Sequence, residues 1–179
     1  MASVDPSPLV AYIGRPCQHM RTDDLRNCDP ALWTHGRFSE KAVQMVDRMV
    51  DSLKQASGAR EIALVGYSGG GAMAALLAAR RKDTSCLVTI AAPLDTQRWA
   101  ATVGVSSLRT SHNPATQTQA LANIRQTHFS GLRDTVVPRE SLATYMAQVP
   151  NSRIVELKDF DHECCWAQQW IHLRQQSCL

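Results

Sequence analysis

The chain has 179 residues, enough for one domain with a real core but short for an open α/β sheet covered on both faces. Apolar residues make up 44% of it and charged residues 20%, the balance of an ordinary folded soluble protein. Its 19 basic and 16 acidic groups leave a formal charge of +3, scattered and without interleaved aromatics, which argues against a nucleic-acid surface. No stretch approaches the roughly 20 apolar residues of a bilayer span, so no transmembrane segment is expected. Met1 to Pro8 lacks the charged-then-apolar plan of a signal peptide.

In chain order, Leu9 to Ile13 is a short apolar run ending at Gly14 and Pro16, which predicts a buried strand. A polar, turn-rich loop follows. Ser39 has the character of a helix N-cap, Ala42, Val46, Met49 and Leu53 recur at helical spacing, and Gly58 ends that helix. Glu61 to Val65 predicts the next strand, Gly69 to Arg81 a helix of small residues, and Leu87 to Ile90 a third strand. From Asp95 to Asn123 the periodicity fails; an irregular insertion this long in a compact domain is usually functional, and a cap over a site is expected. A strand at Gln126 to Gly131, a helix from Arg139 to Gln148, a strand from Arg153 to Leu157 and a helix from about Cys165 to Gln175 complete the chain. The alternation predicts a single α/β domain over 1–179, a mostly parallel sheet with helices on both faces.

The strongest local signal is Gly66-Tyr67-Ser68-Gly69-Gly70, a G-x-S-x-G between a predicted strand and a predicted helix. A serine at such a turn is held in a strained conformation with its hydroxyl exposed above the sheet edge. Gly66 and Gly70 are expected to be small because strand and helix pass close together there. A dinucleotide fingerprint fails, since its register requires glycine at Ser68, and no Gly-Lys-Ser/Thr follows to make a phosphate loop.

A serine hydroxyl needs a base and an orienting acid, which in this architecture follow in the order Ser, Asp or Glu, His. His162 sits just after the last predicted strand, and Asp134 just after the strand before it. Of the other histidines, His19 and His35 precede the nucleophile, His112 lies in the insertion, His128 within a strand and His172 in the final helix. Asp95, after the third strand, is the main rival acid; Asp161 is a lesser one, because it would have to fold back on its neighbour.

None of the six cysteines forms a C-x-x-C pair, which argues against a zinc ribbon or thioredoxin-like site. Cys164 and Cys165 are adjacent and poorly placed to grip one metal together. Cys86 opens an apolar run and is expected to pack as a small buried hydrophobe. Cys17 and Cys28 flank a polar loop and are able to close a disulfide, which would point to an oxidising compartment.

Gly66 to Gly71, the Gly131–Pro138 segment and the Asp161-His162 loop together resemble the esterase/lipase-like branch of the α/β-hydrolase superfamily. Tyr12 to Gln18, Cys28, Trp33-Thr34, Arg37-Phe38-Ser39 and the His162–Trp166 stretch further resemble a group of bacterial, often exported hydrolases; with the cysteine usage, this makes an exported or periplasmic location the expectation. The resemblance implies a serine hydrolase cleaving a small-molecule or lipid-like acyl ester or thioester. Ser68 would be the nucleophile, His162 the base, Asp134 its orienting acid and Gly69 an oxyanion donor, with Tyr67 at the substrate side. It implies no metal, no organic cofactor and no particular oligomeric state.

The second oxyanion donor of that fold comes from a loop after an earlier strand. Strand and loop belong upstream of Leu9, with the strand lying between the Leu9 and Glu61 strands, so a gap at the sheet centre is expected. A trimmed longer enzyme is the favoured reading and a rearranged fold the other. Two other functions stay open: an acyltransferase using the same triad, and a catalytically impaired hydrolase-like protein that binds a ligand or partner.

Overall fold

The computed structural model describes residues 1–18 and 20–179; His19 lies outside the described residues. Four parallel strands, β1 (Ile62–Tyr67), β2 (Thr84–Ile90), β3 (Arg125–Gly131) and β4 (Ser152–Leu157), pair in sequence order. Each parallel step needs a crossover. These are α2 (Gly69–Arg80), the α3 (Thr96–Val103) and α4 (Thr118–Leu121) segment, and α5 (Glu140–Gln148). α1 (Glu40–Ser57) precedes the sheet and α6 (Trp170–Gln175) follows it.

Side chains alternate across the strands and so divide the core by face. Leu87 joins Ala74, Ala75 and Ala78 of α2 and Leu142 and Tyr145 of α5 on one side. Cys86, Val88, Ile90 and Phe129 meet Trp166, Trp170 and Leu173 on the other. α2 is buried along Gly71–Ala78 because α1 covers the flank that the sheet leaves open. That position explains why α2 is apolar all round instead of amphipathic.

α1 begins at Ser39, whose hydroxyl accepts the Ala42 N–H at 3.4 Å, and ends at Gly58 with φ 71°. Its buried row is Ala42, Val43, Val46 and Val50, while Met49 and Leu53, expected on the same stripe, stand exposed on its flank. The final helix is likewise shorter than expected. Trp166 donates its indole N–H to the carbonyls of Asp161 and His162, which keeps the preceding residues in turns.

Leu9 to Ile13 is not a strand. Leu9 is 63% and Tyr12 81% exposed, and only Ile13 leans on the α1–α2 cluster. A strand exists through its ladder partners, and among the described residues this run has none. The expected gap does not interrupt the four-stranded sheet; β1 is its edge, with Val65 exposed there. The Asp95–Asn123 stretch is more regular than expected, holding α3, α4 and a 3₁₀ turn at Pro114–Thr116. Among the described residues, no helix is long and apolar enough to cross a membrane.

Cys17 pairs with Cys28. Cys86 is buried as expected, but it is also bonded to Cys178, tying β2 to the C-terminus; burial alone does not reveal that a partner arrives from a distant segment. Cys164 pairs with its neighbour Cys165.

One ionic cluster locks α2 onto α1. Arg81 binds Asp47 (2.5 Å), Asp51 (2.8 Å) and Asp83 (2.8 Å), and Lys54 adds a second bond to Asp83. The Arg81 guanidinium, with Lys54 behind it, pulls the Asp83 pKa from 3.8 to about 2. Because the folded value is depressed, this stabilisation is present above about pH 4 and is lost as pH falls towards 2. Arg81→Ala is expected to cost roughly 1–2 kcal/mol at pH 7, discounted because the partner carboxylates are partly solvated. In urea unfolding the deficit should narrow steadily between pH 4 and 2.

The crossing of β1 and α2 explains the glycines around Ser68. A Cβ on Gly66 would fall within the backbone of Gly70, and one on Gly71 would strike Ala92 and approach Thr89. Gly66 and Gly70 do approach closely, as expected, but a Cβ on Gly70 would have open space, so the positions that need glycine are Gly66 and Gly71. Gly66→Ala and Gly71→Ala are therefore expected to lower stability by several kcal/mol (roughly 2–4), as overpacked backbone sites do. Gly70→Ala should be neutral or stabilising by up to about 1 kcal/mol, the helix-propensity gain. Thermal unfolding of the three variants separates these outcomes.

Candidate active site

Ser68 stands between the last residue of β1 and the first of α2, with φ 51° and ψ −128°. An L-residue with side chain rarely occupies positive φ, and such strain persists only where neighbours over-determine it. Here the Ser68 N–H donates to the Ile90 carbonyl (2.8 Å) and its own carbonyl accepts from Gly71 N–H (2.9 Å). The strand ladder and the helix thus each hold one side of the turn.

The loops after β3 and β4 bring the other two expected residues to it. His162 Nε2 lies 3.0 Å from Ser68 Oγ, and His162 Nδ1 lies 2.9 Å from Asp134 Oδ2. The Asp134 side chain is fully buried, and its second oxygen accepts the backbone N–H groups of Val136 (2.9 Å) and Val137 (2.8 Å). Both carboxylate oxygens therefore meet at least one donor, which offsets the cost of burying this carboxylate. The two loops also touch each other: Arg133 N–H donates to the Phe160 carbonyl at 3.0 Å, and a Cβ on Gly131 would collide with it.

The Tyr67 hydroxyl, expected to face substrate, donates to the His162 carbonyl at 2.6 Å, and its ring lies 5.2 Å from the imidazole. Burial first, then the Asp134, Glu163 and Asp161 charges, push its phenol above the usual tyrosine value. Gly69 opens α2 next to Ser68, so its N–H belongs to the positive end of that helix.

The rival acids have other partners. Asp95 caps α3 through the Arg98 N–H (3.1 Å) and binds Asn113 (2.9 Å). Asp161 accepts the N–H groups of Glu163 (2.9 Å) and Cys164 (2.7 Å), shaping the loop that carries His162 without touching its ring. His128 is buried against Thr89, His112 binds Glu40, His35 meets Thr110, and His172 lies on α6.

Three neighbours went unread in the sequence. Trp99 of α3 donates its indole N–H to the Val136 carbonyl (2.7 Å), bracing the Asp134 loop. Trp166 does the same for the His162 carbonyl (3.0 Å). Arg15 packs its guanidinium on Gly69. Two of these are tryptophans in polar segments, where a large ring is rarely left in water, and that was the available signal.

Solved structures of α/β hydrolases share this architecture. The chain is 18% identical to the Pyrococcus furiosus esterase Pf2001, with a TM-score of 0.62 over 80% of this chain and 61% of that one. With the α/β-hydrolase enzyme MGS-MChE2, from the metagenome of Mar Chica lagoon sediments in Morocco, identity is 16% and the TM-score 0.57, over 75% and 69%. With the monoacylglycerol lipase of Paleococcus ferrophilus the values are 14% and 0.56, over 75% and 74%. At such identities the likeness shows the fold: a shortened α/β-hydrolase sheet. No curated protein matches in sequence. The sequence model described as Serine hydrolase (FSH1) matches residues 15–164, most of the chain, and the protein belongs to that serine hydrolase family within the α/β-hydrolase superfamily.

Proposed function

We propose that this hydrolase cleaves carboxylic esters or thioesters through an acyl-enzyme on Ser68. The observation that carries the reading is the unbroken hydrogen-bond chain from Asp134 through His162 to Ser68, at 2.9 and 3.0 Å. The esterase and lipase activities named for its structural neighbours support the choice of an ester bond.

Ser68 Oγ attacks the acyl carbon while His162 Nε2 takes its proton. The carbonyl electron pair moves onto oxygen, beside the Gly69 N–H. Collapse expels the alcohol or thiol, which leaves with the proton from His162. Water then repeats the sequence on the acyl-enzyme, and the acid departs. Asp134 holds the imidazole with Nδ1 protonated, so that Nε2 is free to accept. Hydrolysis is favoured over transfer to another alcohol because the imidazole remains 15% exposed, which gives water a path to the acyl-enzyme. In this reading the 95–123 segment frames the acyl group; the bond from Trp99 to the Val136 carbonyl, which ties the segment to the Asp134 loop, supports it.

A fluorophosphonate probe is expected to label the unaltered chain on Ser68, with no labelling in Ser68→Ala. Asp134→Asn should lower kcat roughly 10³–10⁴-fold, as loss of the correct tautomer does in serine hydrolysis. A folded, unlabelled wild-type chain contradicts the proposal. Tyr67→Phe removes only the bond to the His162 carbonyl, so kcat should fall about 3- to 10-fold, the scale of one hydrogen bond, with KM unchanged. A rise in KM alone would instead place Tyr67 against substrate.

A further inference from the structure

Arg15 sits in a place the fold does not explain. Its Nη1 is buried and has no hydrogen-bond partner among the described residues. The charged group acting on it most is Arg37, another cation, and no carboxylate acts beside it. Burial, then Arg37, draws its pKa down to about 10, low for a guanidinium yet still protonated at neutral pH. Arg81 shows the ordinary solution in this same protein, a guanidinium on a side chain only 9% exposed and satisfied by three carboxylates. A guanidinium nitrogen buried without a partner is costly, and an anion arriving beside it would offset that cost.

Its location says which anion. The guanidinium lies flat against Gly69: a Cβ there would stand 2.7 Å from Nη1 and 3.1 Å from Nη2. On its other side Cζ is 5.9 Å from the centroid of the buried Phe38 ring, which fixes the group by cation–π contact. Gly69 is the residue after Ser68 and the first of the twelve-residue α2. The guanidinium and the Gly69 N–H thus both border the residue that follows the serine, the position whose N–H faces the negative charge developed after attack on a carbonyl.

We propose that Arg15 is a catalytic residue, the second oxyanion donor, acting with the Gly69 N–H on the tetrahedral intermediate formed at Ser68. The inference rests on the acyl-enzyme reading above. It makes a side chain do what a second backbone N–H does in other members of the fold. It also accounts for glycine at position 69, since any side chain there displaces the guanidinium.

The test is steady-state hydrolysis of p-nitrophenyl acetate and of mono-p-nitrophenyl succinate by the full chain, with Arg15→Met and Arg15→Lys beside it and thermal unfolding as the fold control. Loss of one oxyanion donor predicts a fall in kcat of about 10²-fold or more for both esters in Arg15→Met, with KM little changed. Arg15→Lys should recover part of it. Unchanged kcat on both esters overturns the inference. So does a loss confined to the succinate ester and appearing in KM, which would make Arg15 a grip for a substrate carboxylate.

A structure of the unaltered chain carrying a diethylphosphoryl group on Ser68 is independent of the variants' folding. The phosphoryl oxygen should lie within hydrogen-bond reach of both Arg15 Nη1 and Gly69 N; an oxygen turned away from Arg15 overturns the proposal. An unaltered chain that neither turns over the esters nor accepts the phosphoryl group would sink the acyl-enzyme reading, and this inference with it. An active chain indifferent to Arg15 sinks only the inference.

Discussion

The backbone of Ser68, held at φ 51° and ψ −128°, is the constraint on which the site depends. That conformation turns the chain from strand into helix within one residue and leaves the hydroxyl facing the loops after β3 and β4. It costs on the order of 1–3 kcal/mol and has to be held from outside. The ladder bond from Ser68 N–H to Ile90 holds one side. The packing of Gly71 on Ala92 and Thr89 holds the other, and the missing side chain of Gly66 lets α2 come down onto β1. The burial of α2 under α1, and the ionic cluster at Arg81, keep the helix in that position.

The polar groups are arranged around this turn by degree of burial. Asp134 is fully enclosed and has its charge met by two backbone N–H groups and one imidazole. His162 is partly exposed, and its backbone carbonyl is held by Tyr67 and Trp166. The loop therefore has little freedom to swing the ring away, so the positioning cost is met before substrate arrives. Among the described residues the Arg15 Nη1 has no hydrogen-bond partner, and its guanidinium borders Gly69, next to Ser68.

Much of this was legible in the sequence, for identifiable reasons. Ser68 was readable because three local signals coincide there: an apolar run before, a small-residue helix after, and glycines where Cβ atoms would collide. Asp134 and His162 followed from chain order, since parallel strands deliver their C-terminal loops to one edge of the sheet. What failed was non-local. Leu9–Ile13 has the composition of a strand, but a strand also needs a partner, and composition does not report one. The Cys86–Cys178 bond joins residues 92 apart. Gly70 and Gly71 differ only in which face of α2 meets the sheet, a rotation that a run of glycines and alanines leaves unspecified. Arg15 reaches Gly69 across 54 positions of chain, and no periodicity marks such a contact.

In the proposed cycle Ser68 becomes acylated and is freed by water. The most direct measurement is peptide mass analysis of the chain quenched in acid within the first turnovers of a p-nitrophenyl ester. The account predicts an acyl group on the Ser68 peptide whose amount matches a burst of released nitrophenol, and which disappears once the ester is consumed. Turnover that persists at the wild-type rate in Ser68→Ala, with no acylated peptide in the unaltered chain, would contradict it, because the bond would then be broken without Ser68.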